Sequence, residues 1–144
     1  MRLRSRRMTE KSCGCIVIEE GKVLLIQQKN GHWGFPKGHI EDDETERNAA
    51  IRETKEETNI EVQIEGTRRY TESYITDKGN FKEVIYYVAK KIDGELKRQE
   101  SEVKAIKWFT IEEALKTLTY DNTRDLLNKV IKDKNIIWKE TWLF

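Results

Sequence analysis

The segment at about 44–58 constrains the fold most strongly, because its side chains follow the repeat of an α-helix with two different faces. Residues three and four apart share one face of a helix, so the carboxylates of Glu53, Glu56 and Glu57 fall together. A second stripe can pack inward, and its members are Ala50, Ile51, Thr54 and Thr58. Like charges at this spacing destabilise an isolated helix by about a few tenths of a kcal/mol per pair. The pattern therefore indicates either a solvated acidic face or a place where a divalent cation reverses the repulsion.

The segments around this helix predict a mixed fold of strands and helices. The predicted strands are 14–19, 22–28, about 61–76, about 81–90 and 103–109. Tight turns are expected at Glu20 and Gly21 and at 77–80, and residues 30–38 form a loop that contains the single proline. Two further helices are predicted at about 111–118 and 121–133. This order of elements predicts an α/β or α+β domain in which helices pack on a mixed β-sheet.

The ends of the helices carry residues that suit helix caps. Asp43 is expected to cap the acidic helix, with Glu46 reaching back from the third position as in a capping box. Asn59 stands where a left-handed cap would end the same helix, since asparagine tolerates that backbone conformation better than most residues. Asp121 is the predicted cap of the last helix.

Length and charge limit the class of protein. The 144 residues suit one domain, which we expect at 11–144 after a basic, flexible tail at 1–10. A net charge of +1 argues against nucleic-acid binding through overall charge. The local exception is the tail, which could meet phosphate or RNA through Arg2, Arg4, Arg6 and Arg7.

The chain is expected to be soluble and cytoplasmic. Its longest aliphatic run, residues 23–26, is far too short to cross a membrane, and no apolar segment follows the basic start. Cys13 and Cys15 alternate on a predicted strand, where bridging two such residues is geometrically poor, and they are too few for a zinc site. We therefore predict buried thiols in a reducing compartment.

The acidic helix carries a known signature. The pattern G-x5-E-x7-R-E-U-x-E-E-x-G-U, in which U is a bulky aliphatic residue, resembles the box of the Nudix hydrolases. The matching residues are Gly38, Glu44, Arg52, Glu53, Glu56, Glu57 and Ile60. Thr54 replaces an aliphatic residue and Asn59 replaces the final glycine, and neither change removes a metal-binding or proton-transfer group. The resemblance covers about 11–130.

The resemblance implies a fold, a metal and a reaction. The fold is a mixed sheet between helices in an α/β/α sandwich. Similar enzymes bind Mg²⁺ or Mn²⁺ through glutamates that match Glu53, Glu56 and Glu57, often with the backbone carbonyl of the residue matching Lys37. Arg52 resembles the arginine that orients these carboxylates by ion pairing. Glu44 resembles the acid that supports them or holds a further metal.

The resemblance leaves the general base open. A carboxylate takes a proton from water as the water attacks phosphorus, and family members differ in which glutamate does so. Glu53 is one candidate. Glu102, in the loop before a late strand, is another, with Glu100 as the next choice, and either loop glutamate could equally be an ordinary surface acid.

The flanking segments point to a subfamily. Residues 33–39 resemble the W-x-x-P-K-G-H entry of diadenosine tetraphosphate hydrolases, the asymmetrically cleaving bis(5′-nucleosyl)-tetraphosphatases. Lys37 would then be a charge aimed at phosphates, and His39 a candidate phosphate contact. Residues 82–89 resemble a strand whose tyrosine, here Tyr86, lines the substrate site. Tyr120 resembles an aromatic residue that stacks on adenine. Core packing or solvation is the alternative role at each of these positions.

The leading hypothesis is therefore hydrolysis of diadenosine tetraphosphate to ATP and AMP by a monomer or weak homodimer. Three rivals remain open. The chain could remove pyrophosphate from RNA 5′ ends, which the basic tail would suit, or hydrolyse nucleoside triphosphates as nucleotide-sanitising enzymes do. It could also be a non-catalytic nucleotide-binding regulator, against which the intact glutamates argue. His32, Trp138 and Trp142 are expected to be structural.

Overall fold

A mixed β-sheet forms the centre of the protein. The computed structural model describes residues 9–136. The elements of this part, in chain order, are β1 (Thr9–Glu19), β2 (Lys22–Gln28), β3 (Trp33–Gly34), β4 (Lys37–His39), α1 (Glu46–Thr58), β5 (Glu61–Ile64), β6 (Tyr70–Ile75), β7 (Phe81–Asp93), β8 (Val103–Thr110), α2 (Ile111–Thr117) and α3 (Asp121–Asp133). The predicted class, helices on a mixed sheet, is confirmed.

The sheet is organised around β1 and β7, which run parallel from the pair Thr9 and Phe81 to the pair Val17 and Ala89. The main strand order is β3-β2-β1-β7-β5, while β4 pairs with β1, β6 with β7 and β8 with β2, all antiparallel. Side chains alternate between the two faces of a strand. Cys13, Cys15 and Val17 therefore pack toward α1, and Ile16 packs with α2 and α3 on the other face.

The single strand predicted at 61–76 is wrong, because this segment forms two separate strands, β5 and β6. β5 pairs with the end of β7 and β6 pairs with its beginning. The chain bends between them at Gly66, whose φ of +73° lies in the left-handed region. The predicted loop at 30–38 also contains two short strands, β3 and β4. Their pairing with β2 and β1 fixes the approach of this segment to the sheet.

Of the helix caps predicted at Asp43, Asn59 and Asp121, the structure confirms only Asn59. α1 begins at Glu46 because the hydroxyl of Thr45 accepts from the backbone N–H of Asn48, so Asp43 is not its cap. Asp43 instead takes a left-handed φ of 70° in the preceding turn. Asp121 is also not a cap, since α3 has Tyr120 at that position and no side-chain cap. Asn59 has a φ of 66°, and the predicted left-handed end of α1 is confirmed.

The N-terminal boundary lies earlier than expected. β1 starts at Thr9, so the last two residues of the predicted 1–10 tail belong to the sheet. Arg2, Arg4, Arg6 and Arg7 lie outside the described residues, as do Trp138 and Trp142. Cys13 and Cys15 are buried and free, as predicted. No helix within 9–136 combines the length and apolar character needed to cross a membrane.

Candidate active site

Arg52 is the centre of an ion-pair network on α1. Its Nε and Nη2 donate to the two oxygens of Glu44 at 2.5 and 2.9 Å, a bidentate pair. Its Nη1 donates to Glu53 at 2.8 Å and to Glu56 at 3.1 Å. Its Nη2 also donates to the backbone carbonyl of His39, at 3.0 Å, which ties the helix to β4. The guanidinium holds the pKa of Glu44 below its ordinary value.

Glu57 is the most enclosed acid of this helix. It is only 7% exposed, and its Oε1 accepts a hydrogen bond from the backbone N–H of Lys37 at 2.9 Å. Burial raises the pKa of Glu57 from its ordinary 4.5 to about 8, despite that bond. An unpaired carboxylate in such a place is unfavourable, because burial removes water from a charge. The charge is tolerable only if the carboxyl is protonated or a cation lies beside it.

Glu53 lies against the backbone of β4. A Cβ atom at Gly38 would stand 2.0 Å from Oε1 of Glu53, so any larger residue would displace this carboxylate from its position. Burial raises the pKa of Glu53, while its contact with Arg52 lowers it. Gly14 has a similar function one strand away, since a Cβ there would lie 2.0 Å from the carbonyl oxygen of Pro36. These two close approaches therefore hold the 36–38 segment against β1 and against the Glu53 carboxylate of α1.

The loop before β8 brings a further acid to the same place. The N–H groups of Lys97 and Gln99 donate to the carbonyl oxygens of Thr58 and Glu57, at 3.0 and 3.3 Å, and so bind the loop to the end of α1. The charge of Glu102 raises the pKa of both Glu53 and Glu57, which places it within electrostatic reach of them. Glu100 is exposed. The structure thus brings Glu102, the first choice among the loop acids, toward the helix.

The donor set suits a hard divalent cation. In their positions beside Arg52, Glu53 and Glu56 turn toward the guanidinium, and within residues 9–136 no three acidic, histidine or cysteine side chains are arranged to hold a metal ion without moving. Carboxylate oxygens are nevertheless the ligands that Mg²⁺ prefers. The charge of the partly buried Glu53 raises the pKa of the buried Glu57. A cation between them would remove this repulsion, so the residues fit such an ion.

A cavity of about 560 Å³ opens beside these acids. Lys37 and Lys82 give part of its lining a positive charge, and three tyrosines supply aromatic surface, namely Tyr74, Tyr86 and Tyr120. Burial lowers the pKa of Lys82, and the nearby charge of Lys37 lowers it further. Because the backbone N–H of Lys37 binds Glu57, the cavity and the acidic helix meet at this residue.

The predicted substrate contacts differ in their placement. Tyr86 is 1% exposed and packs edge-to-face on Phe35, so it contributes to both the core and the cavity lining. Tyr120 is 52% exposed, and its hydroxyl lies 2.6 Å from Nδ1 of His32, which also lines the cavity. His39 does not line this cavity, and its exposed ring lies 3.4 Å from Glu10.

Among the cavity residues that the sequence did not reveal are Lys82, Tyr74 and Glu72. Lys82 could have been found, because it shares its face of β7 with Tyr86 by simple alternation. Tyr74 and Glu72 lie on β6, and only the pairing of β6 with β7 shows that they face the same cavity.

Comparison with known proteins places the chain in a family. A family model described as the NUDIX domain matches residues 8–130. The asymmetrical bis(5′-nucleosyl)-tetraphosphatase of Caenorhabditis elegans is 36% identical over 131 residues, with 85% of this chain and 94% of that protein covered. The enzyme of the same name from Rattus norvegicus is 31% identical over 139 residues, covering 85% and 93%.

Solved structures agree with the sequence comparison. The binary complex of the C. elegans Ap4A hydrolase has a TM-score of 0.78 at 33% identity, with 89% of this chain and 99% of that chain covered. A MutT Nudix hydrolase from Burkholderia pseudomallei has a TM-score of 0.70 at 25% identity, covering 86% and 99%. This protein therefore belongs to the Nudix family and is a Nudix-type hydrolase of acid anhydride bonds.

Proposed function

We propose that the protein hydrolyses diadenosine tetraphosphate, or a closely related dinucleoside polyphosphate, asymmetrically to ATP and AMP. One observation carries the proposal, namely the cavity that joins two lysines and three tyrosines to the acidic helix at Lys37. A dinucleotide presents flat bases and a chain of phosphates, which match these two kinds of lining. The names of the relatives, which are asymmetrical tetraphosphatases, support the same substrate.

We assign the cation, Mg²⁺ or Mn²⁺, to Glu53, Glu56 and Glu57, with the backbone carbonyl of Lys37 as a further ligand. When bound, such an ion neutralises phosphate oxygens and lowers the pKa of water. Glu44 is better suited to support this set than to hold a second ion, since both its oxygens already bind Arg52. Arg52 is then a positioning residue that holds the carboxylates in register with β4.

Glu53 and Glu102 both remain candidates for the general base. The reaction forms a bond from a water oxygen to phosphorus and breaks the anhydride P–O bond, and a carboxylate takes the water's proton. Glu53 already accepts a hydrogen bond from Arg52, which weakens it as a base. Glu102 is exposed and carries no ion pair within residues 9–136, so it is free to approach a bound water.

The cavity residues would bind and orient the substrate. Lys37 and Lys82 offer positive charge to the phosphates that are not attacked. Tyr120, paired with His32 at the cavity mouth, offers an exposed ring to a base. Tyr86 forms part of the cavity lining through its packing on Phe35. For His39 we propose a structural role through its carbonyl group, which accepts from Arg52.

A panel of substrates tests the proposal. The purified protein with Mg²⁺ is given diadenosine tetraphosphate, normal and oxidised nucleoside triphosphates, and RNA with a 5′-triphosphate, and kcat/KM is measured for each. We expect the dinucleotide to exceed every other substrate by at least ~10-fold, since its second base offers the three tyrosines contacts that a substrate with one base lacks. A higher value for triphosphates would favour a nucleotide-sanitising role. A higher value for RNA, lost when residues 1–8 are removed, would favour an RNA 5′-pyrophosphohydrolase.

Cytoplasmic location and a monomeric or weakly dimeric state remain predictions. The two free, buried cysteines support a reducing compartment.

A further inference from the structure

Glu72 is an acid on the inward face of a strand. The pairing of β6 with β7 sets Glu72 opposite Val84, between the pairs Tyr70–Tyr86 and Tyr74–Lys82. These side chains share the face of the sheet that carries the cavity, and Glu72 lines that cavity. Burial raises the pKa of Glu72. An apolar residue would pack here at lower cost, so stability of the fold does not explain the carboxyl group.

The hydrogen-bonding capacity of Glu72 is mostly unused. Its only partner in the described part of the chain is the buried hydroxyl of Thr123, which lies 3.4 Å from Oε1 and 3.3 Å from Oε2. A carboxylate can accept about four hydrogen bonds, and one hydroxyl can supply only one of them. No ion pair to Glu72 forms among residues 9–136, although Lys37 is close enough to lower its pKa slightly. The group therefore has free acceptor capacity beside the cavity.

The chemistry of the lining indicates what Glu72 would meet. A phosphate group beside a carboxylate is repelled, so the phosphates belong with Lys37 and Lys82. The rings of Tyr74, Tyr86 and Tyr120 favour a flat, uncharged group in the remaining space. A nucleobase has this shape, and its in-plane amine is a hydrogen-bond donor. An ionised carboxylate only accepts hydrogen bonds, so it distinguishes an amine from a carbonyl oxygen at the same ring position.

We propose that Glu72 is a specificity-determining residue that accepts a hydrogen bond from the exocyclic amine of the purine base in this cavity. The inference deepens the proposed function and rests on it for the nature of the substrate. Hypoxanthine carries a carbonyl oxygen where adenine carries its amine. Its neighbouring N1 bears a proton, but a carboxylate placed to meet the amine would face the carbonyl oxygen without a donor. A site built to bond one polar group rejects an analogue that lacks it, here by ~10-fold or more.

The test compares ATP with ITP, which carries a carbonyl oxygen in place of that amine and a proton on the neighbouring ring nitrogen N1. Their dissociation constants are measured by calorimetry in EDTA, which removes the cation, so that the comparison measures binding without hydrolysis. The proteins are the wild type, Glu72→Gln and a control, Glu83→Gln. Glu83 lies on β7, and by alternation its side chain is on the face of the sheet opposite to Glu72 and the cavity. The glutamine amide can turn its NH2 group toward a carbonyl oxygen. We expect the wild type and the control to prefer ATP by ~10-fold, and Glu72→Gln to reduce that preference to ~2-fold or reverse it.

Other outcomes would overturn the proposal. An ATP-to-ITP ratio that Glu72→Gln leaves unchanged excludes contact with the amine. A change confined to the ratio of ATP to 2′-deoxy-ATP assigns Glu72 to the ribose instead. Hydrolysis of diadenosine and diinosine tetraphosphate by the same proteins, with Mg²⁺, keeps the two proposals distinct. If neither dinucleotide is hydrolysed but the binding ratio depends on Glu72, the proposed function fails and this inference stands.

Discussion

Replacing the buried carboxyl of Glu57 by an amide is expected to stabilise the protein when no cation is present. Glu57 is 7% exposed, and burial raises its pKa from 4.5 to about 8. A carboxyl group whose pKa is higher in the folded than in the unfolded state lowers the stability of the fold at any pH where the unfolded chain ionises it. Its contribution is complete below about pH 4.5 and is lost as the pH rises toward about 8. The full shift corresponds to about 5 kcal/mol, and water entry and relaxation around the charge reduce the expected effect to about 1–3 kcal/mol.

Urea unfolding of the wild type and Glu57→Gln in EDTA, from pH 5 to 9, measures this effect. The two proteins should have similar free energies of unfolding near pH 5, and the variant should become more stable by about 1–3 kcal/mol near pH 9. Glutamine keeps an oxygen that can accept from the N–H of Lys37. Glu56→Gln is the control, because Glu56 is exposed on the same helix and should show no such gain. Adding Mg²⁺ should stabilise the wild type more than Glu57→Gln. A variant that is less stable than the wild type at pH 9 in EDTA would refute the reasoning.

Two further changes probe the elements that hold the site. Gly38→Ala should lower kcat by ~10-fold or more while circular dichroism stays native, because the added Cβ would lie 2.0 Å from the Glu53 carboxylate; normal activity would contradict the close approach. Glu46, which binds Lys11 and Arg69 at 2.6–2.9 Å and has its pKa lowered to about 2, stabilises the fold above about pH 4.5 and less as the pH falls toward 2. Glu46→Gln should therefore cost about 1–2 kcal/mol at pH 7 in urea unfolding, and less below pH 3; a loss independent of pH would contradict the ion-pair origin.

The spacing of the acidic helix allowed its geometry to be predicted, because helical periodicity is a local property. Glu53, Glu56 and Glu57 share a face, and the side chains opposite them pack on the sheet, with Ala50, Thr54 and Thr58 fully buried. The left-handed end at Asn59 also followed from local conformational preference. The residue at which the helix starts could not be predicted from local preference in the same way. Asp43 and Thr45 are both good caps, and the turn in which Glu44 N–H donates to Glu41 decides between them.

Features that depend on strand pairing were beyond local patterns. The break at Gly66 exists because β7 pairs with two strands in succession. Gly66 is a local signal of it, but a single glycine within a strand pattern indicates a bulge as readily as a break. The same pairing places Glu72 beside Tyr86 and Lys82. The sequence alone therefore grouped the acids to which we assign the chemistry, while the cavity that would select a substrate became visible only with the register of β6.

The products formed from diadenosine tetraphosphate with Mg²⁺ test the central claim most directly. Anion-exchange chromatography of the reaction should show ATP and AMP in equal amounts, and Glu57→Gln should slow their formation by at least ~10²-fold, because a ligand of the cation is lost. The result that would contradict the account is ADP as the only product, or undiminished turnover by the Glu57→Gln protein.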